Sequence, residues 1–444
     1  MANPYLPGWE YIPDGEPRVF GNRIYVYGSH DNAASDKFCD FKLKVWSASL
    51  DDLSNFVCHG DIFHTKADKD HESDTDWTNN NDLYAPDVVE KDGKYYLYAY
   101  IMGAKGCVAV SDKPEGPFKL ISKYKYNIPE GYGEDFCGNG WFIDPGVLVD
   151  CDGQVYIYCG YQSSFAAKLN PDNMYEIIDG SYLGDIIPKE APFSFFEACS
   201  PRKVGDTYYM IYSPVPGSRL VYATSKSPMG PYEFGGIIID NAVNYPGGNN
   251  HGSICQINGQ WYIFYHRMTN GTIMSRRGCV EKIEILPDGT IPQVEMTSLG
   301  FAESLSPYQI TPADIACVLT GGALITEKNV FTRIITNITD GCVIGYKYFD
   351  FGQDFSSKTM DISFNVTGCG TKSKMDIYAD DWQNGEHLGF CEIDTNDGVY
   401  SANIKSITGR HAVYFVVSSC AGGWFKDMFK GRKLFDLASF VFTK

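Results

Sequence analysis

Residues 144–161, DPGVLVDCDGQVYIYCGY, restrict the fold more than any other stretch of the chain. A short apolar run, an Asp-Gly pair, and alternating aromatic and β-branched residues give a period of two about a tight turn, which is a β-hairpin pattern. The unit recurs as PRVFGNRIYVYGSHD from Pro17, PDVVEKDGKYYLYAY from Pro86, CSPRKVGDTYYMIYS from Cys199 and GSICQINGQWYIFYHR from Gly252. The turn pairs Gly21-Asn22, Asp92-Gly93, Asp152-Gly153, Gly205-Asp206 and Asn258-Gly259 are spaced by 71, 60, 53 and 53 residues. Two units add Ser-x-x-Pro-x-Gly-Pro-aromatic, at Ser111–Phe118 and Ser225–Tyr232, where a second hairpin would turn. Four strands in each of five repeats predict an all-β chain that opens with a five-bladed β-propeller over residues 1–298.

After Ser298 the repeat stops. Short alternating segments follow, among them VIGYKYFDFG, KTMDISFNVTG, KMDIYADD and HAVYFVVSS. They predict a second domain over residues 299–444, a jelly-roll-like β-sandwich.

A net charge of −18 turns the chain away from nucleic acid and anionic membranes. No apolar run reaches the roughly 18 residues of a membrane helix. The opening MANPYLPGWEYIPDGEP has no basic and no apolar leader region. The 14 cysteines contain no Cys-x-x-Cys pair and read as reduced, buried residues of a cytoplasmic protein. Aromatic residues, led by 31 Tyr and 27 Phe, suit both sheet cores and sugar-stacking surfaces.

A propeller gathers the entry ends of its first strands around one axis, so residues just before each hairpin should converge. Asp14 lies eight before Asn22, Asp144 eight before Asp152, and Glu197 eight before Gly205, while His251 lies seven before Asn258. Three carboxylates in one pocket suit glycosidic bond cleavage, which needs a protonated acid at the leaving oxygen and an ionised partner across the sugar. No Gly-x-Ser-x-Gly elbow, His-Glu-x-x-His or phosphate loop is present. Around the pocket, Trp77 and Trp141 are candidate sugar platforms, although Trp77 could equally pack beneath its own loop. Asp87 either touches the substrate rim or is structural. Arg276 and Arg277 either clamp sugar hydroxyls or form a solvated basic pair.

These modules resemble glycoside hydrolase family 43, through NPYLPGWEYIPDGEP, LYAPDVVEKDGKYYLYAY, FIDPGVLVDCDGQVYIY, FFEACSPRKVGDTYYMIYS and HGSICQINGQWYIFYHR. The resemblance implies an inverting, exo-acting hydrolase that releases α-L-arabinofuranosyl groups from arabinoxylan-type oligosaccharides. Its alternatives are a β-xylosidase or a dual enzyme. It implies Asp14 as general base, Glu197 as general acid and Asp144 as the residue that raises and orients that acid. His251 would lie beside an axial metal, usually calcium, and no organic cofactor is implied. From another class, the rival is a non-catalytic sugar-binding propeller. The last part is similar to carbohydrate-binding module family 6, through GYKYFDFG and LFDLASFVF. It departs from that pattern at Asp436 and Ala438, and DGVYSANI stands where a Trp-bearing stretch is expected.

Overall fold

The computed structural model describes residues 2–75, 82–102, 105–128, 142–354, 356–428 and 430–444. Strands account for nearly all of its regular structure, and among the described residues no helix is long and apolar enough to cross a membrane. The first four repeats each form a four-stranded antiparallel sheet. These begin with the strands Glu16–Phe20, Leu83–Lys91, Gly146–Val149 and Phe195–Val204. Pairing of Phe20 with Arg23, Lys91 with Lys94, Val204 with Thr207 and Ile257 with Gln260 leaves the expected two-residue turns. At Asp92-Gly93 and Asn258-Gly259 both residues have positive φ, the conformation that such a turn demands. The third hairpin is looser, closing from Val149 to Val155. Its Asp150 instead accepts the Tyr208 hydroxyl of the next sheet at 2.6 Å. Both Pro-Gly-Pro segments lie between third and fourth strands. Neighbouring sheets fasten them in the same way: Tyr27 donates to the carbonyl of Pro114 at 2.6 Å, and Tyr158 to that of Pro228 at 2.7 Å.

The fifth repeat departs from the four-strand expectation. Among the described residues it holds three strands, Ile254–Ile257, Gln260–Thr269 and Thr272–Ile283. A free sheet edge needs partners for its backbone, and residues near the start of the chain supply them. Tyr5 N–H donates to the carbonyl of Gly278 at 3.3 Å. The Asn3 side-chain amide both donates to the Val280 carbonyl at 2.8 Å and accepts its N–H at 2.9 Å.

The five first strands are tied together by buried charges. Arg18 makes a two-pronged contact with Asp87 (2.9 and 2.6 Å) and donates to the carbonyl of Val147. Arg202 reaches Glu16 at 2.7 Å and the Ile254 carbonyl at 3.0 Å. Each strand of the five thus gives at least one group to this network. Asp87 is wholly buried, and its oxygens also accept the N–H groups of Val88 and Val147. It is therefore not at a substrate rim, because its lone pairs are already taken.

Two further sheets follow. One runs Leu324–Asn329, Thr332–Ile338, Phe435–Thr443, Thr359–Gly368, Gly398–Lys405, and Thr311–Pro312 also pairs with Phe435–Thr443. The other runs Val318–Leu319, Val343–Asp350, Arg410–Ser419, Ser373–Ala379, Glu386–Ile393. Among the described residues no sheet closes on itself. Rings join the two faces: Phe440 lies 4.8 Å from Tyr346 and 4.9 Å from Phe415 between centroids. Their core is continuous with that of the fourth and fifth sheets, linking Tyr209, Tyr222 and Ile263 to Ile315, Leu319 and Ile325.

Removing one member of a buried ion pair strands the other, which costs about 3–5 kcal/mol. Asp87→Ala should lose stability on that scale in urea unfolding, whereas a full-strength midpoint would mean that Arg18 finds another partner.

Candidate active site

Asp14, Asp144 and Glu197 meet at the entry ends of the first, third and fourth sheets, and their local backbones are unusual. Asp14 and Asp144 both have positive φ, 56° and 53°. Aspartate tolerates this region better than most residues, and such strain collects at functional sites. Glu197 lies in a bulge, where pairing with the next strand slips on both sides of its partner Ser213, and Ala198 takes φ 70°. The bulge turns the Ala198 N–H onto the Asp144 carboxyl, as bulges beside active sites commonly re-aim groups. Gly146 allows the approach, since a Cβ there would stand 2.1 Å from the carbonyl oxygen of Cys199.

The three carboxyls are electrostatically unequal. Burial alone would raise Asp14, but Arg276, His251, His266 and the Ser29 hydroxyl outweigh it and hold its pKa below the usual range. Arg276 donates to Asp14 Oδ1 at 2.8 Å and Ser29 to Oδ2 at 2.6 Å. Burial, then the charge of Asp14, pushes Glu197 up to about 7, against the pull of Arg276. Asp144 is raised by burial, then by Glu197 and Asp14. Two like charges so placed cannot both ionise readily, so Asp144 and Glu197 hold a proton between them near neutral pH. The site therefore offers one firm carboxylate and one protonated carboxyl, the pair of states that glycoside hydrolysis requires.

His251 faces this group. Its Nδ1 lies 3.8 Å from Asp14 Oδ1 and 3.7 Å from Asp144 Oδ2, and burial lowers its pKa. His266 was not foreseen. The Asp14 N–H points at its Nδ1 (3.4 Å) while its Nε2 faces Asn249 O (3.0 Å), which fixes a neutral ring protonated at Nε2. Burial and Arg276 together push its pKa down to about 3. Ser29 and Asp31 were missed as well. A signal existed: Ser29, Ser213 and His266 sit at the exit ends of second hairpin strands, opposite the residues singled out on the first.

Other expectations need correction. Arg276 is in the site, but three of its side-chain nitrogens are bound to Asp31 and Asp14 before any sugar arrives. Arg277 points the other way, into Asp314 at 2.8 Å, and ties the fifth sheet to the last part of the chain. Trp77 and Trp141 lie outside the described residues. None of the thirteen described cysteines forms a disulfide, but Cys58, Cys151 and Cys420 are exposed rather than core residues.

The family model for glycosyl hydrolases family 43 matches residues 9–291. A xylosidase/arabinosidase of Thermoclostridium stercorarium is 39% identical over 469 residues, covering 93% of this chain and 95% of that protein. An arabinoxylan arabinofuranohydrolase of Paenibacillus polymyxa is 26% identical, covering 91% and 70%. Among solved structures, a family 43 enzyme of Xanthomonas citri complexed with xylose superposes with a TM-score of 0.53 at 25% identity, over 66% of this chain and 93% of that one. A calcium-free form of a family 43 β-xylosidase/α-arabinofuranosidase from a compost microbial metagenome, with xylotriose, gives 0.52 at 27%, over 66% and 97%. The chain belongs to glycoside hydrolase family 43. It is a glycoside hydrolase.

The raised carboxyl predicts a pH profile. Activity that needs protonated Glu197 should fall as pH rises through about 7. Asp144→Asn removes the charge that competes for the shared proton, so this basic limb should move to lower pH in kcat/KM against pH. An unmoved limb would separate Asp144 from the titration.

Proposed function

We propose that this enzyme is an exo-acting, inverting α-L-arabinofuranosidase acting on arabinoxylan-type oligosaccharides, with β-xylosidase activity as a second reading. The observation that carries the reaction is the opposed electrostatics of Asp14 and Glu197 in one buried group. The names of the relatives, xylosidase/arabinosidase and arabinoxylan arabinofuranohydrolase, support the substrate class. The same names support the second reading, since the first of them joins both activities.

In the proposed mechanism Glu197, protonated, donates to the leaving glycosidic oxygen as the bond breaks. Asp14, kept ionised by Arg276 and Ser29, takes a proton from water attacking the opposite face, and the anomeric configuration inverts. Asp144 holds Glu197 in its acidic form through shared charge and is itself fixed by the Ala198 N–H. His266, locked neutral, stands by Asp14 without competing for the proton. Calcium beside His251 remains part of the proposal. A neutral imidazole is a poor calcium ligand by itself, so water would fill most of the shell. No step above passes through it.

The five sheets over residues 1–298, with first strands joined by Arg18, Asp87, Glu16 and Arg202, support a five-bladed propeller. The two facing sheets support a sandwich over 299–444. The absence of disulfides among the described cysteines supports a reducing, cytoplasmic setting. The sandwich serves chiefly as a brace. Trp382 packs on Tyr414, centroids 5.1 Å apart, rather than lying open as a sugar platform.

Asp14→Asn should abolish turnover of aryl arabinofuranoside and oligosaccharide alike. Glu197→Gln should slow oligosaccharides by roughly 10²–10⁴-fold while sparing aryl substrates with good leaving groups. Equal losses on both substrates would remove Glu197 from the acid's role, and retention of configuration by NMR would overturn the mechanism. A shift of preference to aryl xyloside would favour the second reading.

If the sandwich is a brace, trimming its exposed tryptophan should leave substrate affinity alone. Trp424→Ala should keep the wild-type retention on insoluble xylan, because one face of Trp424 is already covered by Phe425 at 4.0 Å between centroids. Lost retention would make that pair a binding platform.

A further inference from the structure

We propose a second, structural cation site on the outermost strand of the first sheet, built by Asp61, His64 and Asp68 and suited to a divalent ion of the zinc class. Asp61 and His64 close the strand Asp52–His64, and Asp68 follows on the next turn. One donor atom from each lies within 4.8 Å of the others.

The acidic residues by themselves would prove nothing. His64 supplies the independent observation. Its side chain is wholly buried, yet neither ring nitrogen has a hydrogen-bond partner. Leaving a buried polar group unsatisfied is costly, and a native structure normally gives it a partner. Nε2 points toward the cluster, 3.4 Å from Asp61 Oδ2, without the alignment of a hydrogen bond. A cation among the three groups would satisfy Nε2 of the imidazole and both carboxylates.

The donor set selects the ion. An imidazole nitrogen with two carboxylates suits zinc, which binds four ligands at about 2.0–2.2 Å. Calcium prefers six to eight oxygens, so one buried nitrogen at the centre of the site argues against it. Asp68 Oδ1 accepts the N–H groups of Asp70 and His71, so the exposed carboxylate would offer Oδ2 to the ion, and water would complete the shell. Lys42 now holds Asp61 Oδ2 at 3.0 Å and would have to swing into solvent as the metal enters.

The loop around the site is already drawn to His64. The Asp74 carboxylate accepts the His64 N–H at 2.7 Å, and the His71 ring lies 3.9 Å from the His64 ring. The ion would pin residues 65–75 to the sheet. Its effect should be on stability.

The test uses the full chain, stripped with chelator, equilibrated with ZnCl₂ or CaCl₂, desalted and assayed for metal by mass spectrometry. Wild type should retain one more zinc per chain than Asp68→Ala, and His64→Gln should show the same deficit. Zinc should raise the melting temperature of wild type and leave that of Asp68→Ala unchanged. Asp68 Oδ1 accepts the N–H groups of Asp70 and His71 at 2.9 Å, so Asp68→Ala should start from a lower metal-free melting temperature, and the quantity compared is the shift on adding zinc. Equal zinc in all three proteins, or retention of calcium in place of zinc, would overturn the proposal.

Discussion

Four charges where the first strands meet, two buried carboxylates and two partly buried guanidiniums, hold the arrangement on which the site depends. Arg18 and Arg202 face Asp87 and Glu16, so the group is neutral overall, and each guanidinium also takes a backbone carbonyl from another sheet. Burying charge is expensive, and pairing offsets the cost only with good geometry. The two-pronged Arg18–Asp87 contact has that geometry. Its consequence is positional. It fixes the spacing of strands whose entry ends carry Asp14, Asp144 and Glu197.

Those three side chains show how environment divides labour among like groups. Asp14 and Asp144 are buried and Glu197 is half-buried, and burial pushes a carboxyl pKa upward. Asp14 escapes because Arg276 and Ser29 bind it directly, and Asp31 in turn holds Arg276 in place. Glu197 has no such direct donor and keeps its proton. The sign carries into stability. Folded Glu197 retains a proton that the unfolded chain releases near a pKa of about 4.3. Its contribution is therefore present below that value and is lost as pH rises through about 7.

The last 145 or so residues are not a loosely tethered appendage. Apolar packing joins them to the fourth and fifth sheets. Polar contacts reinforce it: Arg277 to Asp314, and the Asn270 N–H to the Ile325 carbonyl at 2.7 Å. Arg277 illustrates how adjacent residues on a strand part company. Successive side chains point to opposite faces, so Arg276 enters the site while Arg277 braces the neighbouring sheets.

The sequence by itself determined the hairpins, because a period of two about Asn-Gly or Asp-Gly is local chemistry. The equal offset of Asp14, Asp144 and Glu197 from their turns was legible for the same reason. It also carried the family motifs. Only the tertiary structure decided which charged residues serve the site and which serve the frame. Asp87 could be read as a rim residue or as structural until Arg18, 69 positions earlier, was found across from it. His266 and Ser29 stayed hidden because their importance lies in facing Asp14 across a hairpin or between sheets. The fifth sheet's missing strand was likewise unreadable, since its edge is covered by Asn3 and Tyr5 from the far end of the chain. Such contacts arise from closure in three dimensions, for which linear spacing has no signal.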